Sequence, residues 1–216
     1  MISPVAITPP KTGSTTFWQA AAKHFGVEQL PASKRRGPIE SKSTTRLDAK
    51  LGASNMNTTH HLTSDLYVDV DDSYNVAVFT RNPYTRVLSM MAYNACVSRQ
   101  SLYNADISHW IEHQANFKSV MLHKIMRWCT CDFVHNRTNF QVVKFENYAN
   151  DIKQIWNFDI GNTHHFETGN FNDLSKCLHF YNDKRIAFVN EQYQRDFDTF
   201  GYKQYSCYEE MVTDLK

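Results

Sequence analysis

Neither sign of charge is in excess: 23 Lys and Arg face 22 Asp and Glu, for a formal net charge of +1. That balance excludes a protein that holds nucleic acid by the charge of the whole molecule, while leaving room for a local basic pocket. No stretch reaches the roughly 18 consecutive apolar residues that a membrane helix needs. The N-terminus also lacks a charged region followed by an apolar one, so no secretory leader is read. As written, the chain is expected to be soluble and cytoplasmic. Internal repeats and low-complexity segments are absent, and nothing marks a second domain, so residues 1–216 are read as one. The five cysteines are Cys96, Cys129, Cys131, Cys177 and Cys207, an odd and scattered set that excludes a disulfide framework. Cys129 and Cys131 form a C-x-C near His123 and His135. A zinc site there is the weaker reading, because no second Cys pair completes the set; two ordinary thiols at a helix end is the favoured one, and no metal is assigned.

What is present suits an α/β domain with a real core. The aromatic share is 13%, read first as core and second as a surface on which sugars could stack. Val5-Ala6-Ile7 is a short apolar run ending at Pro9-Pro10, as in a buried strand that enters a loop. Phe17, Ala21 and Phe25 then recur at helical spacing, with Ser14 or Thr15 as N-cap and Gly26 as the stop. Residues 27–58 show no sustained period and read as a long loop carrying Lys34, Arg35, Arg36, Lys42 and Arg46. Val76 to Phe79 suits a central parallel strand, and Pro83 suits the first position of the helix that follows. Further helices are expected near 106–117 and 118–129. Phe140 to Phe145 reads as a third strand, followed by helices near 148–157 and 182–196. Strands alternating with helices predict a parallel sheet flanked by helices, with ligands at the carboxyl ends of the strands.

The first strand end reads Pro9-Pro10-Lys11-Thr12-Gly13-Ser14-Thr15-Thr16, and a helix follows. This pattern is an anion cradle. Backbone N–H groups at a helix N-terminus point outward and the dipole favours negative charge. Gly13 lets the backbone approach the anion, Lys11 adds a mobile positive charge, and the hydroxyls add donors. It is P-loop-like without being a Walker A loop, because the lysine precedes the only glycine. The bland alternative is a capped helix after a turn with Lys11 solvated.

The second strand ends in Thr80-Arg81-Asn82-Pro83-Tyr84-Thr85-Arg86-Val87-Leu88-Ser89. An arginine fork at the strand end and a hydroxyl nearly two turns into the helix can grip one phosphate from two sides. The bland alternative pairs Arg81 with an acidic neighbour and leaves Ser89 a spectator. Two anion-loop patterns on successive strand ends are harder to explain that way.

With these segments on the page, the chain resembles the sulfotransferases that use 3′-phosphoadenosine-5′-phosphosulfate (PAPS), most closely the carbohydrate (family 2) branch. Residues 10–16 resemble that family's 5′-phosphosulfate loop, and residues 79–89 its 3′-phosphate motif. Val143-Lys144-Phe145-Glu146-Asn147-Tyr148 is similar to its K/R-Y/F-E-N/D-L strand end. Tyr193-Gln194-Arg195-Asp196-Phe197 with Phe200-Gly201-Tyr202 is similar to its closing signature. The resemblance implies the sulfotransferase fold and PAPS as co-substrate. It implies that Lys11 contacts the bridging and terminal oxygens of the phosphosulfate. Gly13, Ser14, Thr15 and Thr16, in a loop that also includes Thr12, would cradle the 5′-phosphate, and Arg81 and Ser89 would hold the 3′-phosphate. If the chain is a piece of a longer enzyme of this kind, the Golgi lumen replaces the cytoplasm.

Sulfuryl transfer to a hydroxyl also needs a base, and histidine suits that task. Among ten histidines, His60-His61-Leu62-Thr63 lies between the two phosphate motifs, where the family commonly has a histidine followed by Leu-Thr. His61 is the favoured base and His60 its understudy. His164-His165 lies where the family covers the nucleotide, but no Lys or Arg follows before Lys176. No lid contacts are assigned there. Glu146 matches a family acid and is read as structural first. The sulfuryl group carries less charge than a phosphoryl group, so no metal is expected to be required. The acceptor is expected to be a hydroxyl on a sugar or glycan, with loops 27–58 and 96–110 choosing it, and no nucleic-acid or membrane partner is expected. Two readings compete: a small P-loop kinase, and a non-catalytic nucleotide- or glycan-binding module of the same fold.

Overall fold

A computed structural model of the chain describes residues 5–9, 12–24, 75–98, 129–134, 138–160 and 174–215. The expected loop 27–58, the helix placed near 106–117, all but the last residue of the helix placed near 118–129, and the pairs His60-His61 and His164-His165 lie outside them, as does Lys11. Contacts divide the chain into two compact units, Met1–Thr80 with Asp132–His165, and Arg81–Cys131 with Phe166–Lys216.

The first unit holds a parallel sheet of three strands in the order β1 (Val5–Ile7), β2 (Val76–Thr80), β3 (Gln141–Lys144). The register pairs Ala6 with Ala77, and Phe79 with Val143. Every residue of β2 is buried, which is why its sequence is an unbroken apolar run closed by one threonine. Helix α1 (Ser14–His24) buries Phe17 and Ala21, four residues apart, and exposes Lys23 and His24. Helix α3 (Tyr148–Trp156) buries Ile152 and Trp156 in the same way. Both helices share one core with Ala6, Ala77, Phe79 and Val143 of the sheet, and with Phe158 and Ile160. The Phe17 ring sits 4.7 Å from Phe79 and 4.9 Å from Trp156, centroid to centroid. Together these contacts make the aromatic part of that core.

The third strand is shorter than its apolar run suggests. Asp151 of α3 accepts the Lys144 N–H at 2.8 Å, and Phe145–Asn147 turn as a 3-10 helix at the strand's end. Phe140 and Phe145 therefore lie outside the ladder.

In the second unit, α2 (Pro83–Ser98) starts with the proline at its first position. Asn82 caps it, its side-chain oxygen accepting the Tyr84 N–H at 3.0 Å. The expected helix over 182–196 is two helices, α4 (Asp183–Gln192) and α5 (Gln194–Phe200). The break falls at Tyr193, whose backbone (φ −115°, ψ 22°) leaves the helical region. Tyr193 is buried and its ring lies 5.6 Å from the Arg86 guanidinium. Gly201, at φ 66°, closes α5 in the left-handed conformation. A 3-10 helix (Leu174–Phe180) and α6 (Tyr208–Leu215) were not apparent as periodic runs.

Tyr84 ties these pieces together. Its hydroxyl donates to Asn190 and accepts the Tyr205 N–H at 3.0 Å, while its carbonyl accepts the Tyr181 hydroxyl at 2.8 Å. Burial raises its pKa to about 12, so it remains a neutral donor across the physiological range. Among the described residues no helix is long and apolar enough to cross a membrane.

Candidate anion-binding site

The loop after β1 is a tight turn that leads into α1. Thr12 is fully buried and donates its hydroxyl to the Pro9 carbonyl at 2.7 Å, which tightens the turn from inside. Its hydroxyl is thus committed to the loop, and its place in the site is to shape the backbone. Gly13 follows at φ +93°, a conformation that L side chains rarely adopt. The Gly13 carbonyl then accepts the Phe17 N–H at 3.2 Å, opening the α1 ladder. The N–H groups of Ser14, Thr15 and Thr16 therefore lie ahead of that ladder, as the first N–H groups of any helix do. They coincide with the positive end of the helix dipole. The sequence-based assignment of Gly13, Ser14, Thr15 and Thr16 thus falls on one turn of backbone.

A further feature of this turn carried no sequence signal of its own. Tyr148, the first residue of α3, donates its hydroxyl to the Gly13 carbonyl. A methyl group on Gly13 would sit 2.8 Å from a carbon of the Tyr148 ring and 3.1 Å from the Phe145 ring. Gly13 is therefore required twice, by its φ and by the ring packed against it. Only its place in the K-F-E-N-Y segment singled Tyr148 out. Glu146 of the same segment is exposed, on the 3-10 turn at the end of β3.

In the second unit, Arg81 follows directly on β2 and is 8% exposed. Its Nε donates to the Thr85 hydroxyl at 3.1 Å, and Thr85 donates in turn to the Asn82 carbonyl at 3.1 Å. This chain of bonds fixes the direction of the guanidinium fork. Thr85 and Ser89 are four residues apart and share one face of α2. Ser89 is partly exposed. The local sequence thus holds a buried arginine at the strand end and a hydroxyl one turn beyond the residue that orients it. Thr85 is the orienting residue that the motif alone did not name.

Arg86, five residues on, serves a different purpose. It is fully buried and pairs with Asp196 at 3.4 Å, while donating to the Thr130 hydroxyl at 3.2 Å. Asp196 also accepts the backbone N–H groups of Thr130 and Cys131 at 2.7 and 2.9 Å. Burial pushes its carboxyl upward, and Arg86 and the N–H donors pull it back. Cys129, Cys131 and Asp196 offer ligand atoms within 4.8 Å of one another. Arg86 and two amides engage the carboxylate, and the hydrogen bond with Cys129, together with burial, pushes the Cys131 thiol up. The Arg86–Asp196 ion pair fastens Thr130 and Cys131 to α5.

No protein-family model, curated protein or solved structure matches the chain. The functional reading therefore rests on the residues and geometry above.

Proposed function

We propose that the protein transfers a sulfuryl group from PAPS to a hydroxyl, with a sugar or glycan as acceptor. The observation that carries the reading is the Thr12–Thr16 turn. There a strand end, a glycine at φ +93° and a helix N-terminus meet in the order that a phosphosulfate loop requires. Arg81, buried at the next strand end and oriented by Thr85, supports it as the holder of a second phosphate.

In this reading the acceptor oxygen attacks sulfur, and the bond between sulfur and the bridging phosphate oxygen breaks. Its electron pair stays on that oxygen and adenosine 3′,5′-bisphosphate leaves. Charge builds where Lys11 and the α1 N–H groups can meet it, the kind of preorganised stabilisation that usually contributes most to catalysis. His61, or His60 in its place, takes the acceptor proton. The leaving group departs as an anion held by the protein, so activity is expected to survive EDTA. A strict Mg²⁺ requirement would favour a kinase instead.

The direct test is calorimetric titration with adenosine 3′,5′-bisphosphate and, separately, with ADP, on wild type and Arg81→Ala. Binding of the bisphosphate in preference to ADP, weakened about 100-fold in the variant as for a lost charge-assisted contact, is the expected result. Equal binding of both nucleotides, or of neither, sinks the proposal. Tight bisphosphate binding without transfer from labelled PAPS to any of a panel of sugars would leave a binding module.

A further inference from the structure

We infer that Tyr148 is a positioning residue for the anion loop, holding the Gly13 turn in its binding conformation through its hydroxyl. The inference rests on the reading of residues 12–16 as a nucleotide-phosphate loop.

Three observations lead to it. First, the Tyr148 hydroxyl donates to the Gly13 carbonyl, the same carbonyl that receives the first α1 bond from Phe17. Second, the ring fills the volume that a Cβ on Gly13 would need, the nearest ring carbon being 2.8 Å from it. The loop is therefore held by packing as well as by a hydrogen bond. Third, Tyr148 is itself well held. Its ring lies 5.8 Å from both Phe79 of β2 and Phe145, and α3 behind it buries Ile152 and Trp156 in the sheet's core. The packed core of the unit thus reaches the loop through Tyr148, with Phe145 beside it.

The consequence is energetic. A turn with φ near +93° has other conformations open to it when unliganded, and an anion must then select one of them. Orientation of the α1 N–H groups before binding removes that cost from the affinity. The hydroxyl bonds the Gly13 carbonyl, whereas the N–H groups assigned to the anion belong to Ser14, Thr15 and Thr16, so Tyr148 is given a positioning role.

Tyr148→Phe keeps the ring and removes the hydroxyl, and Tyr148→Leu removes both. In the phenylalanine variant the melting temperature should stay near wild type. The Kd values for adenosine 3′,5′-bisphosphate and for AMP should each rise about tenfold, the scale of one net hydrogen bond. Their ratio should not change, because the hydroxyl touches only the loop that takes the 5′-phosphate. Binding stoichiometry should stay at one, whereas simple unfolding would lower it. Tyr148→Leu should weaken both ligands further. Wild-type Kd values in Tyr148→Phe would overturn the inference, as would a change confined to the bisphosphate. If wild type binds neither nucleotide, the sulfuryl-transfer reading fails on its own account. Hydrogen exchange at the Phe17 amide then decides for Tyr148: faster exchange in Tyr148→Phe supports its hold on the loop, and unchanged exchange overturns it.

Discussion

Asp196→Ala is expected to destabilise the protein by about 3–5 kcal/mol, the usual effect of removing one partner from a buried ion pair. For a chain of this length that corresponds to a fall in Tm on the order of 10 °C. Asp196 and Arg86 are 1% and 0% exposed, so the guanidinium left behind cannot turn to water for compensation. Two backbone N–H groups, of Thr130 and Cys131, lose their acceptor at the same moment. Alanine also leaves a void where the carboxylate stood. Each of these effects acts in the same direction, which is why a large value is expected for a single polar substitution.

The two components can be separated by a cycle with Arg86→Met. If the charge dominates, Asp196→Ala should cost less in the Arg86→Met background, by an interaction of about 1–3 kcal/mol. What remains is the cost of the two orphaned amides. A pH series adds an independent check. Burial already raises the Asp196 carboxyl, and Arg86 is the main influence opposing it. Without Arg86 its folded-state pKa should lie still further above the unfolded value. Such a group binds its proton more readily when folded, so lowering the pH through that folded pKa relieves the penalty. The Tm gap between Arg86→Met and wild type should narrow on acidification from neutral pH. Equal gaps at all pH values, or an Asp196→Ala protein as stable as wild type, would contradict this account.

Asp196 also illustrates how far local pattern can reach. It belonged to a recognisable closing segment, yet its partners Thr130 and Cys131 lie 66 and 65 residues away in the chain. No periodicity carries such a pairing. The same holds for Tyr84, whose hydroxyl bonds Asn190 and Tyr205, 106 and 121 residues on. Signals confined to one element were legible. Val5–Ile7 and Val76–Thr80 are strands because each is a short apolar run between breakers. Pro83 begins α2 because a proline needs no donor there. The parallel sheet flanked by helices followed from the alternation of these runs. Misreadings arose where a tertiary partner interrupted a local preference. Asp151 accepts the Lys144 N–H at the end of β3, and the helix expected near 182–196 breaks at Tyr193, a buried residue. Among the candidate residues, Gly13 and Arg81 were legible from their places at strand ends. The residues that orient them, Tyr148 and Thr85, were not, because a tyrosine at a helix start and a threonine in a helix have many ordinary uses.

Gly13→Ala is expected to have the larger effect on binding, because two independent constraints meet at that residue. The first is conformational. At φ +93° an L side chain costs about 1–3 kcal/mol of backbone strain. The second is steric. The new Cβ would lie 2.8 and 3.0 Å from carbons of the Tyr148 ring and 3.1 Å from a carbon of Phe145. The Tyr148 ring cannot retreat easily, since Phe79 and Phe145 pack around it. Either the ring leaves and the hydroxyl bond to residue 13 is lost, or the turn changes shape. Both outcomes change the backbone from which the N–H groups of Ser14, Thr15 and Thr16 project. Affinity for adenosine 3′,5′-bisphosphate should fall by about 100-fold or more, since a misaligned charge-assisted cradle loses several bonds together. Stability should fall as well, by about 2 kcal/mol, because the strain is carried by the unliganded protein. The two constraints separate in the Tyr148→Leu background. Removing the ring should recover the steric part of the Gly13→Ala penalty in Tm and leave the conformational part. Full recovery would mean that φ at residue 13 carries no strain. No recovery would mean that the ring does not confine the loop, and the role given to Tyr148 would then fail along with it.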